Sequence, residues 1–241
     1  MPHQSADWFA MTDFATISNS WAKKAHGAFA YKQKRMRRMY EIFALGYEFL
    51  SEFLPFLLAL VLLRRHGSRG GYLWTVFFGL YIMAVFYVTD PGTLYGLLSL
   101  KPRHLAYLAE HINLIPFSRD IQPVGYGLNV VMFLPLGFLI PTIWEKLGKL
   151  RYILAAGCGL SALIEVSQLL SLRGTDVDDV IMNTLGAVLG FGLYKLWDRL
   201  TGSRFRQQEA ARELPLLILA IFLGRFLLFH RMGLIAVFYG V

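Results

Sequence analysis

Polar side chains recur at helical spacing inside two apolar runs in the second half of this 241-residue sequence. Ser161, Glu165 and Gln168 are separated by four and three residues, so a helix would place them on one face. Asp179 and Asn183 repeat this spacing in the next run, after a short turn. An ionisable group within an apolar run is costly, and by default it indicates a functional site. The two runs are therefore predicted to form a helical hairpin with a buried polar site.

The turn between these runs carries one basic and three acidic residues, Arg173, Asp176, Asp178 and Asp179. The planar guanidinium of Arg173 suits a phosphate or carboxylate group. Acidic residues also cap the free amides at the start of a helix, but capping accounts for only one of the three aspartates. A carboxylate at the depth of Glu165 is predicted to be protonated or matched by a cation such as Arg173.

Two further groups precede these runs. Asn113, Pro116 and Phe117 lie in a long segment, 89–123, and loops of this length are usually functional or disordered. The alternative is a proline-stiffened re-entry into the next helix. Asn129 opens the following apolar run, where an amide has to find a partner. Its alternative role is a bond between helices, worth roughly 1 kcal/mol.

The composition identifies the elements that must position these residues. Hydrophobic residues make up 56% of the chain and charged residues 17%, with a mean hydropathy of +0.47. A soluble domain is about half apolar and a quarter charged. Runs of roughly 17 to 25 apolar residues can cross a hydrocarbon core, so we predict an all-α fold, a polytopic transmembrane bundle of about five to six helices. The predicted runs are 42–63, 72–88, 128–144, 152–172, 180–196 and one that begins at Leu214.

The net charge of +8 arises from basic residues in short segments between apolar runs, as in the flanks of membrane helices. Nucleic acid is therefore not a predicted partner. Basic residues concentrate in 64–69, 146–151 and 195–212, which predicts that these loops face the cytoplasm and that the polar groups described above face outside.

The first apolar run, 42–63, is the exception to this pattern. The basic tail before it also favours the cytoplasm, so the run is either re-entrant or interfacial, or it spans against the charge rule; its length favours spanning. Glu48 and Glu52 lie one turn apart in this run. They are predicted either to hold helices together or to contact Arg225.

Four motifs occur in order: NLIPF at 113–117, NVVMFLPLGF at 129–138, IEVSQ at 164–168 and RGTDVDDVIMNTLGAVLG at 173–190. With these motifs the chain resembles the VanZ-like family of bacterial integral membrane proteins, over roughly 72–196. The resemblance implies a four-helix core in the bacterial cytoplasmic membrane. The family's namesake is associated with resistance to the glycopeptide teicoplanin, and its relatives have no settled activity. The positions carried over by motif are Asn113, Pro116, Phe117, Asn129, Pro135, Gly137, Glu165, Gln168, Arg173, Asp176, Asp178, Asp179, Asn183 and Gly186.

Together these observations predict four segments: a basic juxtamembrane tail, 1–40; an added apolar helix or re-entrant segment with a basic loop, 41–71; a VanZ-like domain, 72–197; and a basic cytoplasmic loop with a last apolar helix, 198–241. The first functional hypothesis is an outer-face pocket that binds or modifies a cell-envelope precursor or lipid-linked headgroup, without a cofactor. Its predicted ligand-binding residues are Asn113, Pro116, Phe117, Asn129, Glu165, Gln168, Arg173, Asp176, Asp178, Asp179 and Asn183.

Three alternatives remain at this level. An enzyme acting on a polyprenyl phosphate would hold Mg²⁺ or Ca²⁺ with Asp176, Asp179 and Glu165, because these ions prefer oxygen ligands. A small transporter would use the ionisable groups as a pathway. A scaffold would use the polar residues only to hold helices together. All functional hypotheses require the Asn113 loop and the acidic hairpin to converge.

Overall fold

The computed structural model describes residues 6–63, 69–101, 107–108, 110–118 and 122–229. Its helices are α1 (Ala6–Leu63), α2 (Arg69–Thr89), α3 (Leu94–Leu98), α4 (Pro123–Ile143), α5 (Leu150–Gln168), α6 (Val177–Thr201) and α7 (Glu213–Leu228). Single 3-10 turns follow α4 and α5, at Glu145–Leu147 and Leu169–Ser171. Two short strands, β1 (Ile112–Asn113) and β2 (Thr175–Asp176), complete the described elements.

Five helical segments in the described part of the chain are long and apolar enough to cross a membrane. They are Gln33–Leu63, Gly70–Leu98, Pro123–Ile143, Leu150–Ser171 and Val177–Thr201. The predicted all-α, polytopic bundle is therefore confirmed, and α7 adds a shorter apolar helix of 16 residues. The first apolar run contains no re-entrant turn, because α1 continues without a break through Pro55.

The chain divides into two compact units, and the larger, Glu48–His230, contains α2 to α7 and both strands. In the smaller unit the structure describes 6–47, all within α1. This segment carries an exposed ion pair between Arg37 and Glu41, 3.0 Å apart. The functional residues considered below all belong to the larger unit.

Glycines bring α4 and α6 into backbone contact. A Cβ atom at Gly186 would lie 2.2 Å from the carbonyl oxygen of Val130, and one at Gly190 would lie 2.0 Å from that of Leu134. On the facing helix, a Cβ at Gly137 would lie 1.8 Å from the carbonyl oxygen of Ala187. The G-x-x-x-G spacing indicates such an approach, and the structure identifies α4 as the partner.

A segment between α6 and α7 closes the end of the bundle away from the acidic turn. The amide of Gln207 donates to the carbonyl of Thr142 at 2.7 Å, beside the fully buried ring of Trp144. Arg206 forms ion pairs with Asp198 and Glu145, and its hydrogen bonds to these two carboxylates raise its pKa above its ordinary value. These contacts make this end of the bundle a packed layer. It is the end that the basic loops predict to face the cytoplasm.

A buried ion cluster joins α1 and α7 to Asp90, the residue that follows α2. The guanidinium of Arg225 is 1% exposed and donates to Glu48, to Glu52 at 2.9 Å and to Asp90 at 2.7 Å. Of the two roles predicted for the glutamates, contact with Arg225 is therefore the one observed. A Cβ at the neighbouring Gly224 would lie 2.3 Å from the carbonyl oxygen of Ser51, so the absent side chain lets α7 approach α1 closely enough to form the cluster.

Two described elements are not predicted from the sequence: the short helix α3 and a parallel pairing of β1 with β2. Ile112 is opposite Thr175 and Asn113 is opposite Asp176. Two-residue strands leave no alternation that a sequence pattern could reveal. The pairing joins the long loop to the acidic turn, which is the convergence on which the functional hypotheses depend.

Candidate functional site

The turn after α5 secures the end of α2. The side-chain Nε2 atom of Gln168 and the Nη1 atom of Arg173 both donate to the carbonyl oxygen of Thr89, each at 2.7 Å. The amide of Gly92 donates to the carbonyl of Ser167 at 3.1 Å. One interpretation of the sequence predicts that Arg173 neutralises Glu165. In the structure, Arg173 instead binds a main-chain carbonyl and remains exposed.

Asp176 connects three elements at the start of α6. Its carboxylate accepts the amide of Asp178 at 3.0 Å, which caps the helix as the sequence predicts. It also accepts the side-chain amide of Asn113 at 3.2 and 3.3 Å. Its own N–H donates to Oε2 of Glu165 at 3.1 Å. The loop, the turn and α5 are thus held in one hydrogen-bonded network.

Asp178 holds the loop rather than lining the cavity described below. Its side chain is 1% exposed; Oδ1 accepts the backbone N–H of Phe117 at 2.8 Å, and Oδ2 accepts the hydroxyl of Tyr126. Pro116 and Phe117 themselves are exposed, and the Phe117 ring packs edge-on against Tyr126. These residues therefore form the rim of the site.

Replacement of Asp178 with alanine is expected to release this rim. Two hydrogen bonds of about 1 kcal/mol each are lost, so amide exchange in 112–118 is expected to accelerate by at least about tenfold. Hydrogen exchange measured by mass spectrometry tests this result. Tyr126→Phe is the matched control, because it removes only the hydroxyl bond and leaves the Phe117 anchor in place. Equal exchange in the Asp178→Ala protein and the unaltered protein would show that the loop is held by other contacts.

Asn129, Asp179 and Asn183 link α4, α5 and α6. Asn129 donates to Oδ1 of Asp179 at 2.6 Å. The partner that this amide is expected to require is therefore a carboxylate on α6. Asn183 is 2% exposed and donates to the hydroxyl of Ser161 at 2.9 Å. The predicted polar faces of the hairpin therefore meet. The side-chain oxygen Oδ1 of Asn183, however, is buried without a hydrogen-bond partner among the residues that the structure describes.

A cavity of ≈ 700 Å³ lies among these side chains. Seven of the predicted ligand-binding residues line it: Asn129, Glu165, Gln168, Arg173, Asp176, Asp179 and Asn183. The other four, Asn113, Pro116, Phe117 and Asp178, form or hold its rim and are not among the lining residues.

The sequence reasoning missed three polar lining residues, Thr89, Gln122 and Tyr126. Tyr126 precedes Asn129 by three residues, so the helical spacing that groups the other residues could have identified it. Thr89 contributes its main-chain carbonyl to the turn, and a main-chain role leaves no signal in the residue type.

The side chains facing the cavity mostly offer hydrogen-bond acceptors. Glu165 accepts through Oε2 and Asp179 through Oδ1, and no described residue donates to the second oxygen of either carboxylate. Among the described residues, no group of three or more histidine, cysteine, aspartate or glutamate side chains is placed to hold a metal ion.

Comparisons with known proteins match the part of the chain that forms this site. Residues 74–198 match the family described as VanZ/LLP1. Protein VanZ of Enterococcus faecium is 30% identical over 121 residues, which cover 48% of this chain and 70% of that protein. No solved structure matches. The cavity lining lies entirely within the matched region, whereas Glu48, Glu52 and Arg225 lie outside it.

Proposed function

The chain belongs to the VanZ/LLP1 family, and on that premise we propose that this multi-pass membrane protein binds or modifies a cell-envelope precursor or a lipid-linked headgroup in its polar cavity. The observation that carries the proposal is the unpartnered side-chain oxygen Oδ1 of Asn183, buried beside the cavity. A buried acceptor without a donor costs about 1–3 kcal/mol, and a bound ligand that donates to it removes this cost.

The remaining cavity groups support the same class of ligand. The second oxygens of Glu165 and Asp179 add two acceptors, which suits the hydroxyls and amides of sugar or peptide headgroups. Among the described residues, the guanidinium of Arg173 donates only through Nη1, to Thr89, and its other N–H groups suit a phosphate. A headgroup with both donors and an anionic group therefore complements the site.

We assign the cavity to the outer face of the bacterial cytoplasmic membrane. The charge distribution supports this orientation, because the opposite end of the bundle carries most of the basic residues of the described loops and adjoining helix ends. At that end they include Lys146, Lys149, Arg151, Arg199, Arg204, Arg206 and Arg212, against Lys101 and Arg173 at the cavity end. Cell-envelope precursors that reach the outer leaflet would be accessible to such a site.

Glu165→Gln and Asp179→Asn, introduced singly, are expected to weaken binding of a polyprenyl-diphosphate-linked envelope precursor to the full chain in nanodiscs. Hydrogen bonds to a charged group contribute about 1.5–3 kcal/mol, which corresponds to a loss of roughly ten- to a hundredfold in affinity. The same variants are expected to abolish any change in teicoplanin susceptibility that the unaltered protein confers on a susceptible host.

Glu41→Gln is the matched control, because it removes a carboxylate from the exposed pair with Arg37 and leaves the cavity unchanged. Mass analysis of the precursor after incubation distinguishes binding from modification. The proposal fails if folded, inserted Glu165→Gln and Asp179→Asn proteins bind the precursor as tightly as the Glu41→Gln control.

A further inference from the structure

The exposed lining of the cavity includes the polar residues Gln122 and Arg173, but the mouth between α2 and α4 is apolar and faces outward from the bundle. Val88, Leu128 and Val131 all line the cavity, yet they are 69%, 63% and 60% exposed. Val88 is near the end of α2, and the other two belong to α4. Side chains that are both exposed and cavity-lining mark an opening between these two helices.

This opening lies within segments that are able to span the membrane, Gly70–Leu98 and Pro123–Ile143. Leu128 and Val131 follow the start of α4 by about 8 and 12 Å along the helix, given a rise of 1.5 Å per residue. The hydrocarbon core is about 30 Å thick, so these depths along α4 fall within its outer half. The opening therefore faces acyl chains as well as headgroups.

The cavity changes character from this mouth to its far wall. Exposed valine and leucine form the mouth, and the buried carboxylate of Glu165 and the amide of Asn183 lie on the α5 and α6 side. Arg173 is exposed, with one of its donors used on Thr89. The apolar opening does not favour entry of a water-soluble ligand. An amphiphile complements both the apolar mouth and the polar far wall.

We infer that the cavity receives an intact membrane amphiphile that enters sideways between α2 and α4. The donors of its headgroup, an ammonium or hydroxyl group, bind at Glu165, Asp179 and Asn183, its phosphate binds at Arg173, and its chains remain in the bilayer. This inference rests on the proposed function and narrows its ligand to a phospholipid-like or polyprenyl-linked molecule rather than a soluble precursor.

The test uses the full chain in phosphatidylcholine nanodiscs, because the choline headgroup carries no N–H or O–H donor. Phosphatidylethanolamine supplies an ammonium group, and phosphatidylglycerol supplies hydroxyls. Glycerophosphoethanolamine carries the headgroup of phosphatidylethanolamine without its acyl chains. Native mass spectrometry is expected to find one of the two donor-bearing lipids retained over phosphatidylcholine. The chain-free headgroup is expected not to compete.

Val131→Trp fills the mouth and is expected to reduce retention of the preferred lipid by about tenfold, equivalent to 1.4 kcal/mol. Val166→Trp is the matched control, since Val166 is 63% exposed on α5 and does not line the cavity. Val88→Trp provides a second mouth variant on the other helix. Because all three positions are exposed, none of these substitutions has to fit a packed core.

The outcomes separate the two proposals. Lateral entry is overturned if glycerophosphoethanolamine competes fully and both mouth variants retain lipid as Val166→Trp does, while Glu165→Gln still weakens lipid retention. The cavity then serves a soluble ligand. The headgroup assignment is overturned if phosphatidylcholine is retained as well as both donor-bearing lipids. If Glu165→Gln and Asp179→Asn change neither lipid retention nor precursor binding, the proposed function itself fails.

Discussion

Arg225→Met is expected to lower the free energy of unfolding by about 3–5 kcal/mol, the cost of leaving buried charges without their partner. The substitution keeps an unbranched side chain in the space between α1 and α7 but removes the hydrogen bonds that Arg225 donates to Glu48 and Glu52. Glu52 is 2% exposed and cannot recover its hydration in place. Thermal unfolding of the detergent-solubilised protein measures the loss.

A compensated variant distinguishes charge from packing. Arg225→Met combined with Glu48→Gln and Glu52→Gln is expected to recover much of the stability, because no buried carboxylate is then left unmatched. Arg37→Met is the control for removing a guanidinium, since its pair with Glu41 is exposed and such pairs contribute little. If the single variants Arg225→Met and Arg37→Met unfold at the same temperature, the assignment of a stabilising cluster is contradicted.

Gly137→Ala is expected to destabilise the protein by about 2–3 kcal/mol, toward the upper end of the cost of overpacking. The added Cβ would meet the carbonyl of Ala187 at 1.8 Å and the amide of Phe191 at 2.8 Å, and neither backbone group can rotate away. Helices α4 and α6 would have to separate, which would also lengthen the 2.6 Å bond from Asn129 to Asp179. Thermal unfolding and precursor binding are therefore both expected to decline.

Gly192→Ala supplies a control with the opposite expected sign. A Cβ there meets nothing within 4 Å, and alanine favours a helix interior over glycine by up to about 1 kcal/mol. Gly190→Ala, two residues earlier in α6, meets the carbonyl of Leu134 at 2.0 Å and should behave as Gly137→Ala does. If all three variants have the same stability, the α4–α6 interface tolerates a wider separation than the structure implies.

The helices and the hairpin could be predicted because hydrophobicity and periodicity act locally. The apolar runs fixed the positions of α2, α4, α5 and α6, and the spacing of Ser161, Glu165 and Asn183 correctly placed polar groups on facing surfaces. Capping of α6 by Asp176 also follows from a local rule. In each case, the information lies within a few residues of the structure it specifies.

The parts that could not be predicted depend on contacts between distant segments. The local pattern groups Asp178 with the ligand-binding residues, but its partners Phe117 and Tyr126 lie 61 and 52 residues away and make it an anchor of the rim. Arg225 meets Glu48 from 177 residues away, so the sequence could only offer that contact as one of two readings. The apolar mouth at Val131 resembles any lipid-facing position until the cavity behind it is seen.

The pairing of β1 with β2 also constrains how the protein is made. Asn113 leaves the ribosome 63 residues before Asp176, and at about 5–20 residues per second the interval is on the order of several seconds. During that time α4 and α5 are synthesised and delivered to the bilayer, and the acceptor of the Asn113 side chain has not yet been made. A nascent chain arrested before Asp176 would therefore contain inserted helices and no assembled binding site.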